Sequence, residues 1–317
     1  MVLRKALVVG INDYPKCPLS GCVNDAVQLA SLLERHSDGS PNFSVRRMLS
    51  DNDKITRGNL KREIEDLFSG DPEVALFYFS GHGYLTSFGG YIVTPDFEQY
   101  DEGVSMDDIL KAANHSAGKN RIVILDCCYS GAMGSPSIKE GRFSELADGV
   151  TVLVACRDNE SAIEKDMAGV FTSLLLDALH GGSADLIGHV SPGGVYAYVD
   201  RALGPWEQRP VFKTNVSRFV SLRDVSPPID PQILRKICIH FPSPYDEYCL
   251  DSSYEDTEPN ANPKNVEIFK ELQKMERVGL VVPVDEEHMY YAAIREKSCK
   301  LTAMGIQYWK LVQSGNI

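Results

Sequence analysis

The feature that most constrains this chain is an alternation, over residues 1–222, of short apolar runs with amphipathic segments. Residues 5–10 (KALVVG), 74–80 (VALFYFS), 121–126 (RIVILD) and 150–155 (VTVLVA) read as buried strands, residues 43–49 as another, and 211–212 as a short edge strand. Between them, residues 24–36 set Ala26, Leu29, Leu32 and Leu33 at helical spacing. Thr56 is placed to cap a helix reaching Leu67, with Leu60, Ile64 and Leu67 on one face. Residues 107–113, 169–179 and 193–203 read as further helices. Strand and helix in turn imply right-handed βαβ crossovers, hence an α/β fold with an open, mostly parallel sheet and helices on both faces.

Length sets the domain count. At about 100–200 residues per domain, 317 residues suggest two domains or one with an appendage. The pattern breaks near residues 225–230 (VSPPID), and residues 242–263 are rich in Pro, Ser, Asp, Glu and Tyr with little periodicity. The expected division is an α/β domain over 1–223, a linker or irregular segment over 224–263, and a small α+β domain over 264–317. In the last, Val266, Phe269, Leu272 and Met275 have helical spacing, residues 289–294 alternate toward strand, and residues 302–311 read as a final helix. This order is similar to a winged helix.

Charge narrows the partners. With 32 Lys and Arg against 44 Asp and Glu, the formal net charge is −12. Such a surface does not favour nucleic acid or an anionic membrane, and suits a cationic peptide. Residues 226–317 carry 14 acidic against 10 basic residues, so the small domain lacks a basic stripe as well. No apolar run is long enough to span a bilayer. The opening Met1-Val2-Leu3-Arg4-Lys5 enters a strand directly, without a signal-peptide core. A cytoplasmic location follows as the expectation, with the eight cysteines (17, 22, 127, 128, 156, 238, 249, 299) reduced. Their spacing fits no zinc site.

Two of the buried strands run into chemistry-bearing residues. Residues 74–80 lead into Gly81-His82-Gly83, and residues 121–126 into Cys127-Cys128-Tyr129-Ser130-Gly131. Ligands of open α/β sheets bind beyond the carboxyl ends of the strands. If the two strands are parallel neighbours, an imidazole and a thiol meet at one edge, the pairing that makes a thiolate nucleophile. His82 and Cys128 are 46 positions apart, near the roughly 50 seen between the two in caspase-type sites.

Ser80-Gly81-His82-Gly83 together with Asp126-Cys127-Cys128-Tyr129-Ser130-Gly131 resembles the caspase/metacaspase superfamily of cysteine peptidases. Residues 8–14 (VVGINDY), 19–26 (LSGCVNDA), 151–157, Glu164, 169–172 (GVFT) and 208–212 (QRPVF) extend the resemblance in order over residues 3–222. It implies a caspase-like sheet with Cys128 as nucleophile, His82 as its partner, and the backbone N–H groups of Gly83 and Cys128 as oxyanion donors. It implies no required cofactor. Asp126 and Asp25 match the acids with which metacaspases hold an Arg or Lys side chain, and Cys22 and Ser80 match accessory positions. Cleavage of protein substrates after Arg or Lys is therefore expected. Some members bind calcium through acids that Asp107, Asp108 and Asp96 match, but Ser135 stands where a further acid is expected, which argues against strong calcium dependence. Residues 135–145 correspond to the joint between the two halves of the catalytic domain, and Lys139 and Arg142 within it are candidates for self-cleavage. Taken singly, each residue has a plainer reading: a buried thiol for Cys128, a turn cap for Asp126, a solvated helix acid for Asp25, first-turn acids for Asp107 and Asp108.

No catalytic residue is recognisable beyond residue 223, so the C-terminal region is expected to gate the peptidase. Tyr245, Tyr248, Tyr254, Tyr290, Tyr291, Tyr308 and Trp309 could stack a planar ligand. The expected activator is a small nucleotide-like signalling molecule, of the sort made in antiphage defence, or an activator protein. Two readings compete with the peptidase: a caspase-fold scaffold or sensor, and a winged-helix nucleic-acid-binding regulator.

Overall fold

The computed structural model describes residues 3–87, 89–98, 101–127, 146–155, 167–203 and 210–317. It divides into two compact units, residues 1–184 with 189–225, and residues 185–188 with 226–317.

The first unit is built on strands β1 (Arg4–Gly10), β2 (Ser44–Leu49), β3 (Val74–Ser80), β7 (Asn120–Asp126), β8 (Val150–Val154) and β10 (Val211–Asn215), in spatial order β10-β8-β7-β3-β1-β2. All neighbours are parallel except β10, which closes the edge antiparallel to β8. Every residue of β3 is buried, as a central strand covered on both faces requires. Its side chains alternate between two cores. Ala75, Phe77 and Phe79 pack with helices α2 (Arg57–Phe68) and α3 (Met106–His115). Val74, Leu76 and Tyr78 pack with α1 (Cys22–Glu34), α4 (Met167–Asp177) and α5 (Pro192–Ala202). Thr56 caps α2 as expected, in a reciprocal capping box with Asn59.

The carboxyl ends of the strands are tightly packed. A Cβ on Gly10, at the end of β1, would lie 2.5 Å from the carbonyl oxygen of Cys22, so glycine lets the first turn of α1 press against the sheet there. Residues 83–105 hold a second, antiparallel sheet, β4 (Gly83–Thr86), β5 (Gly89–Glu98) and β6 (Asp101–Ser105), in that order. Strand–helix alternation gave no sign of it, because its strands are glycine-rich and largely polar. A short ribbon, β9 (His189–Val190) with β11 (Arg223–Asp224), completes the unit.

The second unit departs from its sequence reading. The expected linker is structured: it carries α6 (Pro231–Arg235), α7 (Ile237–His240) and β12 (Glu247–Cys249). Phe241 and Leu250 are buried in this unit's own core, and Trp309 Nε1 donates to the Phe241 carbonyl at 2.6 Å. The rest is α8 (Pro263–Arg277), β13 (Val281–Pro283), α9 (Met289–Ile294), β14 (Ser298–Leu301) and α10 (Ala303–Gln313). β14 is the centre of an antiparallel sheet, β12-β14-β13. Residues 289–294, expected as a strand, form a helix: Met289, Ala292 and Ala293 are buried at helical spacing while Tyr290 and Tyr291 face out. A helix therefore stands where a winged helix would have a hairpin.

The aromatic set divides too. Tyr248 and Tyr254 pair through their hydroxyls, Trp309 is buried, and Tyr308 accepts from Leu186 N at 3.2 Å. These four serve the core, and only Tyr245, Tyr290 and Tyr291 of the seven are exposed.

Candidate active site

β3 and β7 are adjacent and parallel, with Ser80 opposite Asp126. His82 stands two positions beyond Ser80, and Cys128 two positions beyond Asp126. Cys128 itself, with Lys139, Arg142 and Ser135, lies outside the described residues, as do Glu164, Gln208 and Arg209. Gly81 N–H donates to the Asp126 carbonyl at 3.4 Å, so the two chains are still joined one step past the register. Cys127, the neighbour of Cys128, is buried among the core residues of the α2–α3 face.

His82 is held at four points. Its backbone N–H donates to the Tyr14 hydroxyl at 3.0 Å, and its carbonyl accepts from Val93 N at 2.9 Å. The Tyr14 ring lies against the imidazole, with centroids 4.6 Å apart. Nε2 is 2.7 Å from the Cys17 carbonyl oxygen. A carbonyl only accepts, so Nε2 carries the proton and the lone pair of the neutral ring is on Nδ1. The same carbonyl would stabilise the imidazolium. Tyr14 completes its bonds by donating to the Val93 carbonyl at 3.1 Å. Burial pushes its pKa up, so the hydroxyl keeps its proton. A Cβ on Gly81 would fall 2.5 Å from that hydroxyl and 2.8 Å from the Phe79 ring, so the glycine before His82 is a packing requirement.

The expected acidic pocket forms a second cluster at the same sheet edge. Asp126 is 1% exposed. Its Oδ2 accepts from Thr172 Oγ1 at 2.5 Å, and Thr172 Oγ1 is 2.6 Å from the Tyr78 hydroxyl. Because Thr172 spends its one hydrogen on Asp126, Tyr78 must donate to Thr172. Asp126 Oδ1 is buried without a hydrogen-bond partner among the described residues. Burial pushes the Asp126 carboxyl well above the usual carboxylate range, Thr172 opposes the shift, and Asp25 adds to it. Asp25, half-buried on α1, is pushed up to about 6 by burial. Cys22, one turn earlier, is pushed up to about 11, first by burial and then by those two acids, with Ser80 lowering it. The Ser80 hydroxyl is fully buried beside them and makes no well-formed hydrogen bond among the described residues. All four expected pocket residues are thus brought together. The supporting Tyr78–Thr172 pair went unread in the sequence, although Thr172 ends the GVFT run.

The calcium candidates are spoken for separately. Asp96 accepts from Arg57 N with both carboxylate oxygens, at 3.1 and 3.2 Å, and so caps α2. Asp108 pairs with Lys61 at 3.1 Å, and Asp107 lies in the Ser105-capped first turn of α3. Among the described residues no three His, Cys, Asp or Glu side chains gather as a metal site. Among the described residues Asp96, Asp107 and Asp108 do not converge on one site. Gly83 opens β4 directly after His82.

An imidazole and a cluster of buried carboxyls thus stand at the carboxyl edge of a mostly parallel α/β sheet, where such folds bind their ligands. The chain belongs to the caspase family: the family model described as caspase domain matches residues 3–218. No curated protein matches it. Among solved structures it is similar to a protein of Geobacter sulfurreducens, with 18% identity, a TM-score of 0.47, and coverage of 70% of this chain and 100% of that one. It is also similar to caspase-1 from Spodoptera frugiperda, with 11% identity, a TM-score of 0.49, and coverage of 71% and 91%. The assignment rests on the domain match. Among the described residues no helix is long and apolar enough to cross a membrane.

Proposed function

We propose that this chain is a cysteine endopeptidase of metacaspase type that cleaves polypeptides after Arg or Lys. The observation that supports it most is the pairing of Ser80 with Asp126 on adjacent parallel strands, since His82 and Cys128 each follow these residues by two positions in the sequence. In this reading the Cys128 thiolate attacks the scissile carbonyl, and the N–H groups of Gly83 and Cys128 hold the oxyanion. The protonated His82 gives its proton to the leaving amine as the carbon–nitrogen bond breaks. Water then hydrolyses the thioester, returning the thiol and releasing the acid.

The Arg/Lys preference is supported by a cluster of two carboxyls with no basic side chain among the described residues beside it. Asp126 Oδ1, without a hydrogen-bond partner among the described residues, is an acceptor for a donor, and a guanidinium supplies donors in a planar fork. The second unit, with its own core and no Cys–His pair assigned to chemistry, is proposed to gate the peptidase by binding a small ligand or protein. In the cytoplasm its thiols stay reduced and the nucleophile usable.

A fluorogenic peptide panel tests the main reading. Arg- and Lys-ending peptides are expected to be cut and Asp-ending ones spared, and Cys128→Ala to abolish cleavage with the fold intact by circular dichroism. Retained cleavage in that variant, or preference for Asp, overturns it.

A further inference from the structure

Among the described residues, the strand that leaves His82 is a sheet edge. β4 pairs only with β5 there, and because the His82 carbonyl accepts from Val93 N, alternation turns the backbone groups of Gly83 and Leu85 away from β5. Natural proteins blunt such edges with Lys, Pro or another covering element, since an uncovered edge pairs with any extended chain. β4 reads Gly83-Tyr84-Leu85-Thr86, with neither charge nor proline. Its two central side chains are 44% and 39% exposed, and Phe97 of β5, 40% exposed, meets the Tyr84 ring edge-on at 6.0 Å. Exposed apolar groups on the strand that follows a candidate catalytic histidine, two of them in contact, need an occupant.

The chemistry says which occupant. The reading of His82 as proton donor to the leaving amine puts the departing half of the substrate on the His82 side of the scissile bond. β4 begins at the next residue. We propose that β4, with the Tyr84–Phe97 pair on one face and Leu85 on the other, binds the substrate segment on the carboxyl side of the scissile bond, as an added strand bearing apolar side chains. This rests on the peptidase reading and extends it: main-chain hydrogen bonds to the free edge supply register, and these side chains select apolar residues. The acidic character of the chain, with Asp96 and Glu98 flanking Phe97, works against acidic side chains in the same segment.

Binding, not turnover, is the test, so its result does not depend on whether the chain cleaves anything. The probe is a pair of dye-labelled peptides bound by the full-length Cys128→Ala chain, read by fluorescence anisotropy. Both share one sequence up to an Arg, followed by Leu-Val in one and Asp-Asp in the other. The Leu-Val peptide is expected to bind about tenfold or more tightly, the scale of one apolar side chain leaving water. Tyr84→Ser with Leu85→Ser should bring the ratio close to one, and so should Leu85→Lys alone, which charges the edge. These residues are exposed, so folding should survive, which a thermal melt checks. Equal binding of the two peptides, no binding of either, or a ratio that survives both variants overturns the proposal. Failure of the native chain to cut Arg peptides would instead strike the peptidase reading and leave the binding result to judge the added strand.

Discussion

The Tyr14 hydroxyl accepts the backbone N–H of His82 at 3.0 Å while its ring lies against the imidazole. One side chain thus sets both the backbone and the ring plane of the candidate catalytic histidine. Tyr14→Phe keeps the ring and removes the oxygen, leaving the His82 N–H and the Val93 carbonyl without that partner. The lost bonds should lower stability by about 1–3 kcal/mol. A histidine less firmly held should also lower kcat by roughly three- to thirtyfold with KM little changed. Thermal melts and steady-state kinetics on an Arg peptide check both. An unchanged kcat would reduce Tyr14 to a core residue.

The pocket acids give a pH dependence of definite sign. Burial raises the Asp25 carboxyl to about 6, and Asp126 also well above its ordinary value. The native state therefore holds these protons at pH values where the unfolded chain, with carboxyls near 4, has lost them. Their contribution to stability is complete below about pH 4 and declines as pH rises, for Asp25 through its folded value near 6 and for Asp126 through its own raised value. Asp25→Asn and Asp126→Asn are accordingly expected to raise Tm at pH 7.5 more than at pH 5. Substrate reverses the preference, since a guanidinium favours the carboxylates. Arg-peptide affinity should rise across pH 5–7, with proton release measurable by calorimetry in buffers of different ionisation enthalpy. Affinity that falls with pH over that range contradicts a carboxylate pocket.

Thr172 connects those acids to the core. Its hydroxyl donates to Asp126 and accepts from Tyr78, both fully buried. Thr172→Val is nearly isosteric but leaves one Asp126 oxygen and the Tyr78 hydroxyl unsatisfied, at a cost of about 1–3 kcal/mol. A carboxylate that is no longer oriented should weaken Arg and Lys binding, so KM should rise with kcat nearly kept. Thr172→Ser should restore KM even where Tm stays low, a split that a purely structural role would not produce.

Much of this was legible in the sequence because it rests on local pattern. Strands such as Val74–Ser80 are buried on both faces, and their unbroken apolar runs say so. His82 and Cys128 could be marked because glycines and strand ends surround them. What stayed hidden is non-local. Tyr14 meets His82 across 68 residues and Thr172 meets Asp126 across 46, and no spacing rule connects either pair. The β4–β6 sheet was passed over because Gly103, at a φ of 138° and lodged against Ile92, reads as a turn although it sits inside a strand. Residues 289–294 fit two periods at once, and burial of Ala292 and Ala293 decided for helix.

The second unit can be loosened without touching the first. Glu271 is buried on α8, where Oε2 is 2.9 Å from His240 Nε2 and Oε1 pairs with Lys236. Burial alone would raise this carboxyl, but the two bases together hold it below its ordinary value. A depressed acid contributes stability above its unfolded pKa, near 4.3, and loses that contribution as pH falls through the folded value. Glu271→Gln keeps the shape but removes the charge, leaving His240 and Lys236 without their anion. Lys236 is partly solvated and His240 is not, so a loss of roughly 1–3 kcal/mol is expected. In differential scanning calorimetry of the full chain at pH 7.5, the transition of this unit should move down, and its shift should shrink toward pH 4. Peptidase activity on an Arg substrate, measured below and then within that lowered transition, tests the gate. A unit that regulates catalysis should change the rate when it melts, to silence or to constitutive cleavage. A rate that runs smoothly through the transition would mean that the second unit does not govern the first.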